Sequence, residues 1–373
     1  MPRRLAHRQG AAGLGWLLGL VLLCVAGCSS QGVVTPLAPW PPQPSTSPAP
    51  GVTVPPSAIP TGSTDPGSLR RRLIHPDGDY FGVSTWKAPS ESETDLVAGP
   101  AGATPTIQEF FVGWDESFNP QSVRNSYHLG ALPLLTWEPE GPSKASNQPA
   151  YSLSRIAGGA FDGYIKAFAA AVKAEGQPVV IRFAHEMNGS WYPWSEGNSG
   201  NRPGDYVKAW RHVHDLFARA GATNVIWLWS PNIVRGSETT GFASLYPGAD
   251  YVDWVGLDAY ALGEKTAGAV LDHSLALLHA ITDKPVLISE TAAEPGPEKA
   301  PWTADLFRWL KLHQDVIGFV WFEHTPTDGG KYDYRFTADP ATERAFRKGL
   351  ASLHLVHWPI TAAVSTPPPA PTR

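Results

Sequence analysis

Cysteine is nearly missing from this chain. Of 373 residues only Cys24 and Cys28 are cysteines, both near the N-terminus, so the folded part contains no disulfide. Basic runs are scarce too. Arg70-Arg71-Arg72 is the longest, and with a formal charge of −5 the chain lacks the electrostatic footprint of a nucleic-acid binder. No glycine-rich phosphate loop follows the first apolar run, which leaves the usual ligand class of a doubly wound sheet without support. His185-Glu186 has no second histidine four residues on, because Gly189 stands there, and the zinc-protease motif fails. A Gly-x-Ser-x-Gly elbow is also missing, and no motif calls for a metal or cofactor.

What the chain does have is aromatic and apolar bulk: 42% hydrophobic residues and 15 Trp, with 36 Gly and 37 Pro. That is enough for one large core and too little for two full-sized enzyme domains. With near-neutral charge, a neutral polymer is the easier partner, and a monomer is expected.

The two ends read as something other than fold. Residues 1–28 carry Arg3, Arg4 and Arg8, an apolar stretch from Ala11 to Ala26, and Val25-Ala26-Gly27-Cys28, the pattern of an export signal. The ending resembles a bacterial lipobox, in which cleavage leaves Cys28 as a lipid-modified N-terminus on a cell-surface lipoprotein; an ordinary secretory signal is the alternative. Residues 29–70, rich in Pro, Ser and Thr, cannot bury enough apolar area to offset their ordering entropy and read as an extended tether. Residues 359–373 read as a disordered tail.

Between them, residues 71–358 alternate apolar runs with helical segments as a single (β/α)8 barrel does. Strands are expected over Tyr80–Thr85, Ile107–Trp114, Leu132–Trp137, Val179–Ala184, Asn224–Trp229, Tyr251–Leu257, Pro285–Ser289 and Ile317–Trp321. Helices are expected over Asn119–His128, Ile156–Glu175, Gly204–Ala220, Thr266–Ile281, Trp302–His313 and Ala341–Leu353, with a short one at best after the fifth strand. A doubly wound sheet is the runner-up.

In such a barrel the active site lies at the C-terminal strand ends. Here these ends are polar: Trp137-Glu138, His185-Glu186-Met187-Asn188, Ser230-Pro231-Asn232, Asp258-Ala259-Tyr260, Glu290-Thr291 and Glu323-His324. Parity with Val180 and Ala184 turns Arg182 and Glu186 inward, and parity with Ile288 turns Glu290 inward. Two facing carboxyls beside the cluster Trp191, Tyr192 and Trp194 suit glycoside hydrolysis: one carboxyl protonates the leaving group, the other attacks, and flat rings meet the C–H face of a sugar. Glu186, beside Trp191 and Trp194, is the better acid because desolvation favours its neutral form; Arg182 and Tyr260 supply hydrogen bonds to Glu290.

The block R-x-x-H-E-M-N-G-x-W-Y-x-W, Arg182 to Trp194, also resembles the strand-4 signature of glycoside hydrolase family 26, the mannanase-like (β/α)8 glycosidases. The resemblance covers Tyr80 to Leu353 and implies Glu186 as acid/base and Glu290 as nucleophile. It further implies His185 as a substrate-site histidine, Trp191 and Trp321 as aromatics around the cleaved sugar, and Tyr260 as the tyrosine that holds the nucleophile. Asn188, Trp194, Trp137 and Glu138 complete the expected substrate site. Where many family mannanases carry a histidine after strand 3, this chain has Trp137-Glu138-Pro139, a pattern closer to the β-glucan- and β-xylan-cleaving members. The expected activity is therefore a retaining endo-β-glycanase on β-1,4- or mixed-linkage glucan, with mannan the main alternative and β-1,3-xylan a third. A sugar-binding lipoprotein without turnover is the alternative of another class, though it would have no use for two facing glutamates.

Overall fold

The computed structural model describes residues 66–235 and 241–357; the expected signal, Cys28, the tether as far as residue 65 and the tail 359–373 lie outside them. In chain order the elements are α1 (Pro66–Ile74), β1 (Tyr80–Ser84), α2 (Glu91–Ala101), β2 (Ile107–Gly113), α3 (Pro120–His128), β3 (Leu132–Glu138), α4 (Leu153–Ala157), α5 (Asp162–Glu175) and β4 (Val179–Phe183). There follow α6 (Asp205–Ala220), β5 (Val225–Trp229), α7 (Phe242–Leu245), β6 (Trp254–Ala261), α8 (Ala267–His279), β7 (Val286–Ala293), α9 (Lys299–Leu312), β8 (Val316–Phe322) and α10 (Pro340–Leu350). The eight strands pair in parallel, each with its sequence neighbours, and β1 pairs with β8 to close the barrel.

Alternation along each strand sorts the core into two. Tyr80, Ile107, Leu132, Leu134, Val180, Ile226, Leu228, Trp254, Leu287 and Val320 fill the barrel interior. The opposite faces pack on the helices in a large aromatic cluster that includes Trp137, Trp229 and Trp321. The lower end of the barrel is stoppered by Leu73 and Ile74 of α1 and by Val356 from the other end of the chain. Tyr80 Oη donates to Leu73 O (2.9 Å), Trp254 Nε1 donates to Ile74 O (2.9 Å), and Arg70 bonds Val225 O and Asp253.

Two helices escape the sequence pattern. In α2 only Thr94, Val97 and Ala101 are buried, with Pro100 inside the helix, so its apolar stripe is short and interrupted. Among the described side chains of α1, the buried ones are Leu73 and Ile74 at its end. The expected domain start at residue 71 falls inside α1. The helix expected over Ile156–Glu175 is two, broken at Gly158 and Gly159, where Gly159 has φ +85°. Gly318 in β8 has φ +139°, and a Cβ there would lie 2.2 Å from Tyr80 O, so β8 can approach β1 only with glycine at that point.

Burial of Leu73 and Ile74 is worth about 1.5–3 kcal/mol each. A chain starting at Thr64 should match the full chain in Tm, whereas one starting at Pro76 should melt about 10 °C lower; equal melting of the two would show that α1 does not stopper the barrel.

Candidate active site

Above the apolar filling, the barrel interior turns polar around one cation. Arg182 on β4 is fully buried. Its Nη1 donates to Asp258 Oδ2 (2.8 Å), Nη2 pairs with Glu109 Oε1 (2.9 Å) and with Glu290 Oε1, and Nε donates to Thr136 Oγ1 (2.9 Å). Asp258 Oδ1 also accepts from Ser230 (2.8 Å) and Ser289 (2.6 Å). Thus β2 to β7 are tied together by one guanidinium and the groups it holds.

The two glutamates reach the mouth by backbone irregularities rather than by plain alternation. β4 ends at Phe183, and Ala184 and Glu186 both adopt left-handed φ, +48° and +50°, which costs non-glycine residues about 1–3 kcal/mol each. Hydrogen bonds hold that turn: Ala184 N to Trp137 O (3.0 Å), Glu186 N to Ser230 O (2.8 Å), Tyr206 Oη to Ala184 O (3.1 Å) and Trp194 Nε1 to His185 O (2.6 Å). On β7, Leu287 faces the interior and Ile288 the helices, so Ile288 does not share an inward face with Glu290. Gly256 pairs with Leu287 while Asp258 pairs with Glu290, and Ile288 pairs with Phe319 while Thr291 pairs with Trp321. This is a bulge at Ser289-Glu290, and it turns both side chains inward.

Glu186 and Glu290 open on a cleft of about 680 Å³. Glu186 accepts from Trp191 Nε1 (2.7 Å) and from Asn232 Nδ2. Burial, with the charge of Glu290 second, pushes its pKa up to about 7. Glu290 accepts from Arg182 on Oε1 and from Tyr260 Oη on Oε2 (2.5 Å). Burial and then the Glu290 charge raise the Tyr260 hydroxyl well above its ordinary value, which keeps that donor protonated. Glu138 also lines the cleft; burial lifts it to about 7 against the opposing charge of Lys144, whose Nζ lies 3.1 Å away. Trp86, Phe111, Tyr192, Phe322 and Tyr334 supply apolar walls.

Several expected substrate contacts lie elsewhere. Trp137 faces the helices, stacked on Phe168 at 4.3 Å, because its neighbours Thr136 and Glu138 take the inward positions. Trp194 is fully buried and clamps the His185 carbonyl. Trp321 is outward as well, donating to Tyr334 O (3.1 Å) and so fixing a residue that does line the cleft. Asn188 exchanges two hydrogen bonds with the Asn232 backbone, 2.8 and 2.9 Å, and acts on Glu186 through Asn232. His185 is buried, its Nε2 is 3.0 Å from Tyr192 Oη, and burial holds its pKa well below the usual value. Trp191 is 42% exposed beside Glu186. Its indole lies where a Cβ on Gly189 would stand, 2.4 Å away, so the glycine of His-Glu-Met-Asn-Gly makes room for the ring. Glu323 accepts from the backbone of Phe336 (2.8 Å) and Thr337 (3.2 Å), a loop anchor rather than a cleft residue.

Glu109 and Asn232 were not among the expected site residues. The signal for Glu109 was present: a glutamate two residues after Ile107, in a strand whose other polar residue is Gln108, shares its inward face.

Residues 151–283 match the model of glycosyl hydrolase family 26, a span that contains Arg182, Glu186, Asn232, Asp258 and Tyr260 and stops just short of Glu290. Endoglucanase H of Acetivibrio thermocellus is 30% identical over 289 residues, 74% of this chain and 31% of that protein. Mannan endo-1,4-beta-mannosidase of Bacillus subtilis strain 168 is 24% identical over 210 residues, 48% of this chain and 57% of that protein. The chain thus spans less than a third of the first and little over half of the second. Among solved structures, the GH26 beta-mannanase from Bacteroides ovatus superposes with TM-score 0.58 at 20% identity, covering 78% of this chain and 94% of that one, which shows the common barrel. The matched segment supplies the strands that carry the buried arginine and the cleft, and the longer likeness extends over most of the barrel. The chain therefore belongs to glycosyl hydrolase family 26.

Proposed function

We propose that this protein is a retaining endo-β-glycanase, with Glu186 as acid/base and Glu290 as nucleophile. The observation that carries the reading is the division of labour between two buried carboxyls on one cleft. Glu186 is held where burial favours its proton, and Glu290 is gripped by a cationic and a hydroxyl donor.

In the first step a Glu290 oxygen attacks the anomeric carbon while the glycosidic C–O bond breaks and Glu186 gives its proton to the departing oxygen. In the second, Glu186 removes a proton from water, the water oxygen bonds to the anomeric carbon, and the Glu290 carboxylate is released. Two inversions leave the configuration retained. Trp191 and Asn232 support Glu186 in both forms, since each donates to one of its oxygens. The exposed rings at the cleft, Trp86, Phe111 and Trp191, suit the C–H faces of pyranose rings along a polymer.

For the substrate, β-1,4- or mixed-linkage glucan is favoured over mannan. Only Glu138 of the Trp137-Glu138 pair reaches the cleft, so any difference in hydroxyl recognition at the end of β3 rests on its carboxyl and on Lys144. A site built to bond one hydroxyl rejects the epimer because its polar group is left unpaired, by several kcal/mol in strong cases. The longer likeness to a protein named an endoglucanase points the same way; the shorter likenesses to proteins named mannosidases keep mannan as the alternative.

The roles separate by mutation. Glu290→Ala should lose activity by about 10³-fold or more, as loss of a catalytic nucleophile does, with partial rescue by azide. Glu186→Ala should spare glycosylation by aryl glycosides whose leaving group needs no proton. Because the acid works only while protonated, wild-type kcat/KM on polysaccharide should fall as pH rises through about 7, and that fall should be absent from glycosylation of Glu186→Ala by an activated aryl glycoside. Exchange of the two phenotypes would swap the assignments. For specificity, kcat/KM on lichenan, barley glucan, glucomannan and galactomannan should rank the glucans first; a clear preference for galactomannan would show that Glu138 does not set the choice.

A further inference from the structure

Three carboxyls share one guanidinium inside this barrel, and they are not equally served. Asp258 is met by Arg182 Nη1 and by the hydroxyls of Ser230 and Ser289. Glu290 is met by Arg182 Nη2 and Tyr260. Glu109, fully buried on β2, has Thr136 Oγ1 (2.7 Å) and the same Arg182 Nη2 on its Oε1, while its Oε2 meets no hydrogen-bond partner among the described residues. Glu109 and Glu290 therefore draw on a single nitrogen. Were all three ionised, the layer would carry three negative charges against one positive, away from solvent. A bare anionic oxygen in such a place is far costlier than an unbonded neutral hydroxyl.

We infer that Glu109 stands in this layer as a neutral carboxylic acid, its proton on Oε2, and that it is a positioning residue which leaves the charge of Arg182 Nη2 to Glu290. The inference rests on the proposed role of Glu290 as nucleophile and adds to it a reason why the nucleophile keeps its orientation. The groups facing Glu109 are Thr136 from β3, Arg182 from β4, Asp258 from β6 and Glu290 from β7. Burial is the largest influence on Glu109, Arg182 opposes it, the charges of Glu290 and Asp258 reinforce it, and together they push the carboxyl up to about 8. Burial raises Asp258 as well, but Arg182 and two serine hydroxyls meet both of its oxygens, and it is the bare Oε2 that assigns the proton to Glu109. The proton is thus kept at neutral pH and passes to solvent as pH rises through about 8. Ionised Glu109 then competes with Glu290 for Nη2, and attack on the anomeric carbon slows.

The test separates this event from the loss of the acid proton. In the Glu186→Ala background, single-turnover glycosylation by an activated aryl glycoside is followed from pH 6 to pH 10. The rate should fall with an inflection near 8. Adding Glu109→Gln, which has no proton to lose there, should abolish that inflection. Adding Thr136→Val, which removes a donor that favours the charged form, should move it to higher pH and gives a second variant if the glutamine protein does not fold. An inflection that stays in place in either double variant would overturn the assignment. Difference infrared spectra of the otherwise unmodified protein against Glu109→Gln provide a readout independent of turnover: a protonated-carboxyl stretch at pH 7 should disappear in the variant. Persistence of every such band would contradict the inference even if the nucleophile assignment held; failure of azide rescue at Glu290 with the band lost as expected would contradict only the latter.

Discussion

Everything at the mouth of this barrel is arranged about the guanidinium of Arg182. Taking an arginine and its partners out of water costs several kcal/mol per ion even after relaxation, and their mutual attraction roughly offsets that cost only when the geometry is good. Packed hydrocarbon would serve stability as well. What hydrocarbon cannot do is hold carboxyls from β2, β6 and β7 at fixed places around one planar fork. Arg182 does this at the floor of the cleft, and Glu290 above it takes its position from that floor.

Regular barrel geometry alone would not bring the two glutamates together. Strict alternation on β7 would send Glu290 toward the helices, since Leu287 and Ser289 already face inward, and β4 stops before Glu186. The bulge and the left-handed turn correct the two strands in different ways. Each irregularity is held by its surroundings: the bulge by Ser289 on Asp258, the turn by Ser230 O, Trp137 O and the Trp194 indole. The aromatic residues next to the turn have separate tasks. Trp191 touches Glu186 directly, whereas Trp194, fully buried, secures the chain that presents it.

The barrel was legible because its strands are short apolar runs closed by polar residues, and every expected strand has its counterpart within a few residues. β6 and β7 extend further than their apolar runs, since Asp258, Tyr260 and Glu290 remain in the ladder while serving the cleft. Glu186, Glu290, Tyr260 and Glu138 were readable as polar strand ends, and all four line the cavity. The tryptophans were harder. Trp137, Trp194 and Trp321 carry no local mark that distinguishes a ring on the helix side from a ring over the cleft; one residue of parity decides it, and loop residues have no parity. Glu109 was overlooked because it lies within its strand rather than at the end, where a charged side chain is costly unless the opposite wall provides a cation. Sequence order hides that wall: Arg182 comes 73 positions later.

In the proposed mechanism Glu290, oriented by Arg182 and Tyr260, forms a covalent bond to the sugar while Glu186 moves the proton. An activated 2-deoxy-2-fluoro β-glycoside slows both steps, the second more than the first when the leaving group is good, so the glycosyl-enzyme accumulates. Peptide mass mapping of the trapped protein should place one sugar on the peptide that contains Ile288-Ser289-Glu290-Thr291. A sugar on the peptide bearing Glu186, or no adduct together with products of inverted anomeric configuration, would contradict the account.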